Sequence, residues 1–114
     1  MSAYLDSCIV IYLVEKQEPW RTRIQSKLLP RTGPLPVIRY SDLTRMECRV
    51  GPKLKSDSTA LSEYDAFFAT PRFQRVSMDT AVFELATDLR AQYRLKTPDA
   101  LHLAAAISTG CDEF

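Results

Sequence analysis

The stretch AYLDSCIVIYLV, residues 3–14, combines two kinds of secondary structure signal. AYLD has the composition of a short buried strand, and Asp6 and Ser7 are residue types that end a strand and cap a following helix. The β-branched residues of CIVIYLV also suit a strand by propensity, but we predict a helix for them. The chain is therefore expected to begin with a strand–helix unit that has an acidic residue at its junction.

Strands and helices are predicted to alternate along the rest of the chain. The further strands are PVIRYS (residues 36–41) and FQRVSM (residues 73–78). The further helices are, in chain order, PWRTRIQSKLL, DLTRMECRV, STALSEYDAFFA, TAVFELATDLRAQY and TPDALHLAAAIS. Parallel strands need crossover connections that pack as helices. The alternation thus predicts the α/β class, with a central parallel sheet between two helical layers in one domain spanning residues 1–114.

Helix boundaries are predicted from local signals. Pro19 should open the second helix, Ser41 or Asp42 the third, and the Gly51-Pro52 pair should stop the third. Asp79 should cap the fifth helix. In the last helix the expected order is Thr97 as N-cap, Pro98 as first helical residue, Asp99 as first-turn anion, and Gly110 as the stop.

Apolar periodicity predicts which helix faces are buried. The fifth helix should bury one stripe, formed by Val82, Leu85, Ala86, Leu89 and Tyr93. The aromatic residues of STALSEYDAFFA recur at helical spacing, so we assign them to the core and not to a base-stacking surface.

Composition limits the classes of protein to consider. A chain of 114 residues with 46% apolar residues can bury one core. The first residues lack a basic segment before an apolar run, and the run from Cys8 to Val14 is too short to cross a bilayer, so we expect a cytoplasmic protein without a membrane segment. The cysteines Cys8, Cys48 and Cys111 are odd in number and far apart, which predicts reduced core thiols and neither disulfides nor a zinc site.

The net charge of +1 is unevenly distributed. Residues 20–55 include nine Lys or Arg and two acids, so this segment carries +7 and the remainder −6. A positive segment is either a solvated face or a surface that attracts phosphate groups of nucleic acid. The sequence leaves both interpretations open.

Three acidic residues are predicted to meet at the carboxyl edge of the sheet. Asp6 ends the first strand, Glu47 lies in the helix after the second strand, and Asp99 begins the last helix. Each has a structural alternative, as an N-cap, a surface residue or a partner of the helix dipole, respectively. Clustered carboxylates repel each other unless a cation neutralises them, and oxygen ligands favour Mg²⁺ or Mn²⁺.

YLDSCIVIYLVE, SDLTRMEC and TPDALHLAAAISTGCDEF resemble, in order and spacing, three blocks of PIN-domain ribonucleases, in particular VapC-type toxins of bacterial toxin–antitoxin pairs. The resemblance spans residues 3–114. It implies a PIN fold and a Mg²⁺- or Mn²⁺-dependent endoribonuclease that cleaves RNA phosphodiesters. It also implies a homodimer and neutralisation by a VapB-like antitoxin.

The resemblance assigns roles to residues by position. Asp6, Glu47 and Asp99 match the catalytic, metal-binding acids. Ser7 and Thr44 match hydroxyl residues that support the acids. Arg45 and Arg49 are candidate contacts to RNA or to the antitoxin. Both arginines also fit an ordinary helix surface. His102 could act as a general base, but a packed or surface histidine is the preferred interpretation.

The chain departs from the family pattern at two places. Cys8 stands where many relatives have Asn or Ser, and a thiol is a weak ligand for a hard cation, so we leave it out of the site. Relatives usually continue from a CDEF-like segment into a fourth acid, and Asp112 lies too early to match it. We therefore expect a PIN domain truncated at its C-terminus, with its last strand or strands incomplete.

Two alternatives to an active nuclease follow. One is a catalytically inactive or truncated PIN-fold module that binds an antitoxin partner. The other is a phospho-receiver domain, which needs a pair of neighbouring acids after the first strand, where this chain has Asp6 alone.

Overall fold

A computed structural model describes residues 2–111 as a parallel sheet with helices on both faces. The described strands are β1 (Ser2–Tyr4), β2 (Val37–Ser41) and β3 (Phe73–Val76). The described helices are α1 (Ser7–Val14), α2 (Trp20–Leu28), α3 (Asp42–Leu54), α4 (Ser58–Phe68), α5 (Thr80–Tyr93) and α6 (Thr97–Ser108). The α/β class predicted from the sequence is confirmed.

The strands pair in the order β1-β2-β3, all parallel. Because side chains alternate along a strand, each strand supplies residues to both faces of the sheet. The register aligns Ala3 with Ile38 and Ile38 with Phe73, and these residues belong to one apolar cluster. Tyr4 and Val76 belong to a second cluster. The two clusters are the cores of the two interfaces between helices and sheet.

The first cluster packs α1 to α4 against the sheet, through residues such as Val10, Leu28, Cys48 and Phe68. The second packs α5 and α6 against the opposite face, and α6 contributes mostly alanine. Ala104 and Ala105 are fully buried. Small side chains allow α6 to lie close to the strands, which positions the residues at the beginning of α6 near β1.

Several helix starts agree with the sequence prediction. Asp6 and Asp79 cap α1 and α5 by accepting hydrogen bonds from the backbone N–H groups of Ile9 and Val82. Pro19 immediately precedes α2 as its N-cap residue. Ser41 caps α3, and its side chain and that of Thr44 form a reciprocal capping box.

The prediction that Gly51-Pro52 stops the third helix is wrong, because α3 continues to Leu54. Proline removes one N–H donor, but this loss falls in the last turn of the helix. The backbone continues to bond across it, since the N–H of Lys55 donates to Gly51 and that of Asp57 donates to Pro52.

Two details of α5 and α6 also differ from expectation. The N-cap residue of α6 is Lys96 and not Thr97, so Pro98 is the second helical residue. Tyr93 is 60% exposed and does not belong to the buried stripe. It is the last residue of α5, directly before Arg94 turns the chain with a φ of 56°.

The cysteines are free, and the prediction that all three are core residues is wrong. Cys48 is buried and Cys111 is partly buried, whereas Cys8 is exposed. Cys8 lies two positions before the buried Val10 in α1, which places it on another side of the helix. The predicted strand entry at CDEF falls mostly on residues 112–114, outside the described part of the chain.

Within residues 2–111, the structure has no helix that is both long enough and apolar enough to span a membrane.

Because α6 lies close to the sheet, a larger side chain at one of its buried alanines should destabilise the protein. Ala104→Leu should lower the free energy of unfolding by about 1–3 kcal/mol, because extra methyl groups have no space against the sheet. Ala91→Leu, at an exposed position of α5, is the matched control and should change it by less than about 0.5 kcal/mol. Urea denaturation measures both values, and equal effects of the two substitutions would contradict the packing described for α6.

Candidate functional site

The acidic residues predicted as a site lie around the carboxyl end of β1. Asp6 follows β1 and caps α1, Glu47 is in the middle of α3, and Asp99 is in the first turn of α6. The start of α6 lies at this edge, where His102, in the second turn of the helix, bonds to Tyr4 of β1. The sheet and three helices thus position these acids.

Asp6 has a structural role that the structure shows directly. Its Oδ1 accepts a hydrogen bond from the N–H of Ile9 at 3.1 Å, which satisfies one free donor at the start of α1. Its charge also faces the positive end of the helix dipole. Among residues 2–111, its other carboxylate oxygen has no hydrogen bond.

Glu47 is held by a buried histidine. Its side chain is 27% exposed, and its Oε1 lies 2.5 Å from Nε2 of His102. His102 is 3% exposed, so it is a packed residue, as preferred from the sequence. Within the described chain, the second oxygen of Glu47 has no hydrogen-bond partner.

His102 is in turn held by Tyr4. The Tyr4 hydroxyl lies 2.7 Å from Nδ1 of His102, 2.7 Å from Oγ of Ser41 and 3.3 Å from Oγ1 of Thr44. The Thr44 hydroxyl donates to the carbonyl of Leu5 at 3.0 Å. Burial raises the pKa of Tyr4, and the charges of nearby carboxylates raise it further, so the phenol keeps its proton at neutral pH.

The protons of this network have one consistent arrangement with a neutral histidine. A carboxylate only accepts, so Nε2 of His102 carries the proton donated to Glu47. Nδ1 then accepts from the Tyr4 hydroxyl, and the Tyr4 oxygen accepts from the Ser41 hydroxyl. We assign this tautomer from the hydrogen-bond pattern. It leaves no polar atom of His102 unsatisfied.

Asp99 differs from the other two acids. It is exposed and has no hydrogen bond or ion pair with the described residues. Its negative charge nevertheless acts on the same thiol, that of Cys8, as the charges of Asp6 and Glu47. Burial raises the pKa of the Cys8 thiol, and the negative charges of Asp6, Glu47 and Asp99 raise it further. All three carboxylates therefore act on one exposed thiol.

The described side chains do not form a complete metal site. Among residues 2–111, no group of three His, Cys, Asp or Glu side chains is placed so as to hold a metal ion. The chemistry of the donors does fit a hard cation, because Asp6, Glu47 and Asp99 offer oxygen atoms only. Asp6 and Glu47 each have one oxygen engaged within the protein and one that is not.

The hydroxyl residues assigned as supporting lie close to the acids. Thr44 is fully buried, and its hydroxyl bonds to Tyr4 and to the carbonyl of Leu5, not to a carboxylate. Ser7 is the first residue of α1, and its carbonyl accepts from the Cys48 thiol. Burial raises the pKa of that thiol to about 12, so Cys48 stays protonated.

The two candidate contact arginines share one acidic partner. Oδ1 of Asp65, in α4, lies 2.9 Å from Nε of Arg49 and 3.6 Å from Nη2 of Arg45. All three side chains are partly exposed. Because exposed ion pairs are weak, both guanidinium groups can exchange Asp65 for another anion.

Sequence reasoning missed Tyr4 and the hydrogen-bonding role of Ser41. One signal was present, since a tyrosine within a buried strand needs a partner for its hydroxyl. The partner itself was not predictable locally, because Tyr4 and His102 are 98 positions apart.

The fold is thus that of a three-layer α/β domain with acids at the carboxyl edge of a parallel sheet. The chain belongs to the PIN domain family, whose pattern matches residues 3–114. PIN domains are generally nucleases.

Solved structures of toxin–antitoxin proteins have the same fold. The chain is similar to a toxin-antitoxin complex from Klebsiella pneumoniae, with 27% identity and a TM-score of 0.71 over 98% of this chain and 83% of that one. It is also similar in fold to VapBC2 from Rickettsia felis bound to a DNA fragment from its promoter, with 16% identity and a TM-score of 0.76 over 99% and 86%. A comparison with curated proteins gives no match.

The shared effect of the acids on Cys8 is directly measurable. Asp99→Asn removes one negative charge, so the pKa of Cys8 should fall and its thiolate fraction at pH 8.5 should rise. Alkylation of Cys8 by iodoacetamide should therefore be faster than in the parent. Asp88→Asn, an exposed charge change on α5, is the control and should leave the rate unchanged. An equal rate in the parent and Asp99→Asn would place Asp99 too far from Cys8.

Proposed function

We propose that this chain is a metal-dependent endoribonuclease and the toxin component of a VapBC-like toxin–antitoxin pair. The observation that carries the proposal is the position of Asp6 directly after β1, of Glu47 in α3 and of Asp99 in the first turn of α6, around the sheet edge where parallel α/β folds bind ligands. Family membership supports the nuclease activity. The described residues 2–111 and the match over residues 3–114 support one PIN domain.

In this proposal Asp6, Glu47 and Asp99 hold Mg²⁺ or Mn²⁺ through their oxygen atoms. When bound, the cation supplies Lewis-acid activation of water and stabilisation of charge on the phosphate. The protein contributes the placement of the ligands. Asp6 is fixed by the start of α1, and Glu47 is fixed by His102. Ser7 and Thr44 support them, since Thr44 secures the end of β1 that precedes Asp6.

RNA binding is assigned to the basic segment, residues 20–55, which carries +7. Arg45 and Arg49 flank Glu47 in α3 but face α4 through Asp65, so in this proposal they bind phosphate groups of an RNA chain that extends past the acids. Their exchange between Asp65 and phosphate would cost little, because both states pair the same charges.

The proposed partners are a VapB-like antitoxin and a second copy of the chain. The similar structure from Klebsiella pneumoniae is a toxin-antitoxin complex, which supports the first partner. An apolar cavity of about 300 Å³ between β1 and α2, with Trp20 and Ile24 in its lining, offers a place for apolar side chains. The exposed apolar residues of α3, namely Met46, Val50 and Leu54, support contact with another protein surface.

A second function has its own observation in favour. Within residues 2–111 no three side chains form a metal-holding group, and Glu47 is bonded to His102 instead. A PIN-fold module that binds an antitoxin without cleaving RNA would have this arrangement. Cleavage assays separate the two functions.

Isosteric removal of each charge tests the catalytic assignment. Asp6→Asn, Glu47→Gln and Asp99→Asn should each lower Mn²⁺-dependent RNA cleavage by at least about 100-fold, as expected for loss of a group that stabilises the reacting charges. Folding should be preserved, because asparagine caps a helix as well as aspartate does and glutamine still accepts from His102. Gel analysis of total cellular RNA measures cleavage, and thermal melting measures folding.

Asp88→Asn serves as the control with the same change in charge, and it should cleave like the parent. A full rate of cleavage in any of the three site variants would contradict its assignment. A folded parent that cleaves no RNA with Mg²⁺ or Mn²⁺ would favour the antitoxin-binding module.

The ion pairs of Asp65 predict a gain in RNA affinity. Asp65→Asn frees Arg45 and Arg49 from their carboxylate, so single-stranded RNA should bind more tightly and with steeper salt dependence. Arg49→Ala should weaken binding, with a slope reduced by about 0.7 if one phosphate contact is lost. Fluorescence anisotropy at several salt concentrations measures both effects.

Asp57→Asn is the matched control for Asp65→Asn, since it removes the same charge from the start of the same helix and retains an N-cap side chain. Equal gains for both variants would indicate a general charge effect and would contradict phosphate binding by the arginines.

A further inference from the structure

Glu47 is oriented by a chain of hydrogen bonds that reaches from the helix surface into the core. From this geometry we infer that His102, locked by Tyr4, is a positioning residue for Glu47. It restrains one carboxylate oxygen so that the other is available to a divalent cation. The inference rests on the proposed nuclease function and adds a residue to it that acts through Glu47 and not on the substrate.

His102 is unusual for its place in the fold. The other buried residues of α6 are apolar, namely Ala100, Leu101, Ala104, Ala105 and Ala106. An imidazole ring in this position loses its water, and that loss is compensated only if both ring nitrogens are bonded. They are, to Tyr4 and to Glu47. Packing alone would be achieved by leucine, so the polar ring indicates a requirement for directed bonding.

The bond to Glu47 restricts a flexible side chain. A glutamate on a helix surface samples many rotamers, and ordering it costs conformational entropy. His102 is rigidly packed between β1 and α3, so its Nε2 fixes the position of Oε1 before any cation binds. Partners outside the ligand shell orient metal ligands in this way, and their removal typically weakens metal binding 10- to 100-fold.

Tyr4 stabilises the tautomer of His102 that donates to Glu47. In the assigned arrangement its hydroxyl donates to Nδ1, and the hydrogen on Nε2 is donated to Glu47. The hydroxyl is itself fixed by Ser41 and Thr44. Phenylalanine at this position would keep the ring and remove only the hydroxyl, so Tyr4→Phe isolates the contribution of that bond.

The test measures binding of Mn²⁺ to the full chain by electron paramagnetic resonance of the free ion. His102→Leu removes the donor and fills the volume, and it should weaken Mn²⁺ binding about 10- to 100-fold. His102→Gln places an amide N–H near the former Nε2 and should restore binding to within about threefold of the parent. Tyr4→Phe should show a loss between these two values.

A double-mutant cycle separates positioning from a general structural role. In a Glu47→Gln background, His102→Leu should cause no further loss, because the residue it orients is no longer a charged ligand. Leu89→Ala, which opens a cavity in the apolar cluster that α5 shares with α6, is the control for destabilisation, and it should leave Mn²⁺ affinity unchanged while lowering stability.

Three outcomes would overturn parts of this account in distinguishable ways. Parent-like Mn²⁺ affinity in His102→Leu would overturn the positioning role alone. An equal loss from His102→Leu with and without Glu47→Gln would show that the residue acts through the fold, and it would also overturn that role. No Mn²⁺ binding by the folded parent would overturn the proposed metal-dependent function and this inference together.

Discussion

The Tyr4 hydroxyl is the point where the sheet and the helices of the candidate site are joined. It bonds to Ser41 at the end of β2, to Thr44 of α3 and to His102 of α6. All of these atoms are buried, where an unsatisfied polar group costs about 1–3 kcal/mol. The network is therefore complete only when β1, β2, α3 and α6 have their native positions. It stabilises one arrangement of these elements and disfavours shifted ones.

The network depends on packing that it does not itself create. Helix α6 approaches β1 closely enough for His102 to reach Tyr4 because its buried positions on either side are alanines. On the opposite face, larger residues such as Phe68 and Tyr64 fill the space beneath α3 and α4. Hydrophobic burial sets the distance between the helices and the sheet, and the hydrogen bonds then fix the positions of the polar side chains at the carboxyl edge of the sheet.

Local chemistry explains which features were predictable from the sequence. The caps Asp6 and Asp79 were predicted correctly because a capping bond spans three residues and needs no tertiary contact. The end of α3 was not, because the backbone bonds beyond Pro52 depend on how the chain enters α4. The three acids were predicted to share the carboxyl edge from topology alone. The partner of Glu47, His102, lies 55 positions along the chain, and no pattern of spacing could give it.

The charge of Asp6 is not explained by its structural role. Asparagine would accept the same hydrogen bond from Ile9 and cap α1 equally well. The carboxylate adds a favourable term with the helix dipole, but it also raises the pKa of Tyr4 and Cys8, which means that negative charge is crowded there. The negative charge of Glu47 raises the pKa of Tyr4 and of Cys8 as well, and that of Asp99 raises the pKa of Cys8. A protein selected for stability alone would relieve such repulsion with a neutral residue. Among residues 2–111, no Lys or Arg pairs with Asp6, Glu47 or Asp99, and this negative charge is what the proposed Mg²⁺ or Mn²⁺ would neutralise.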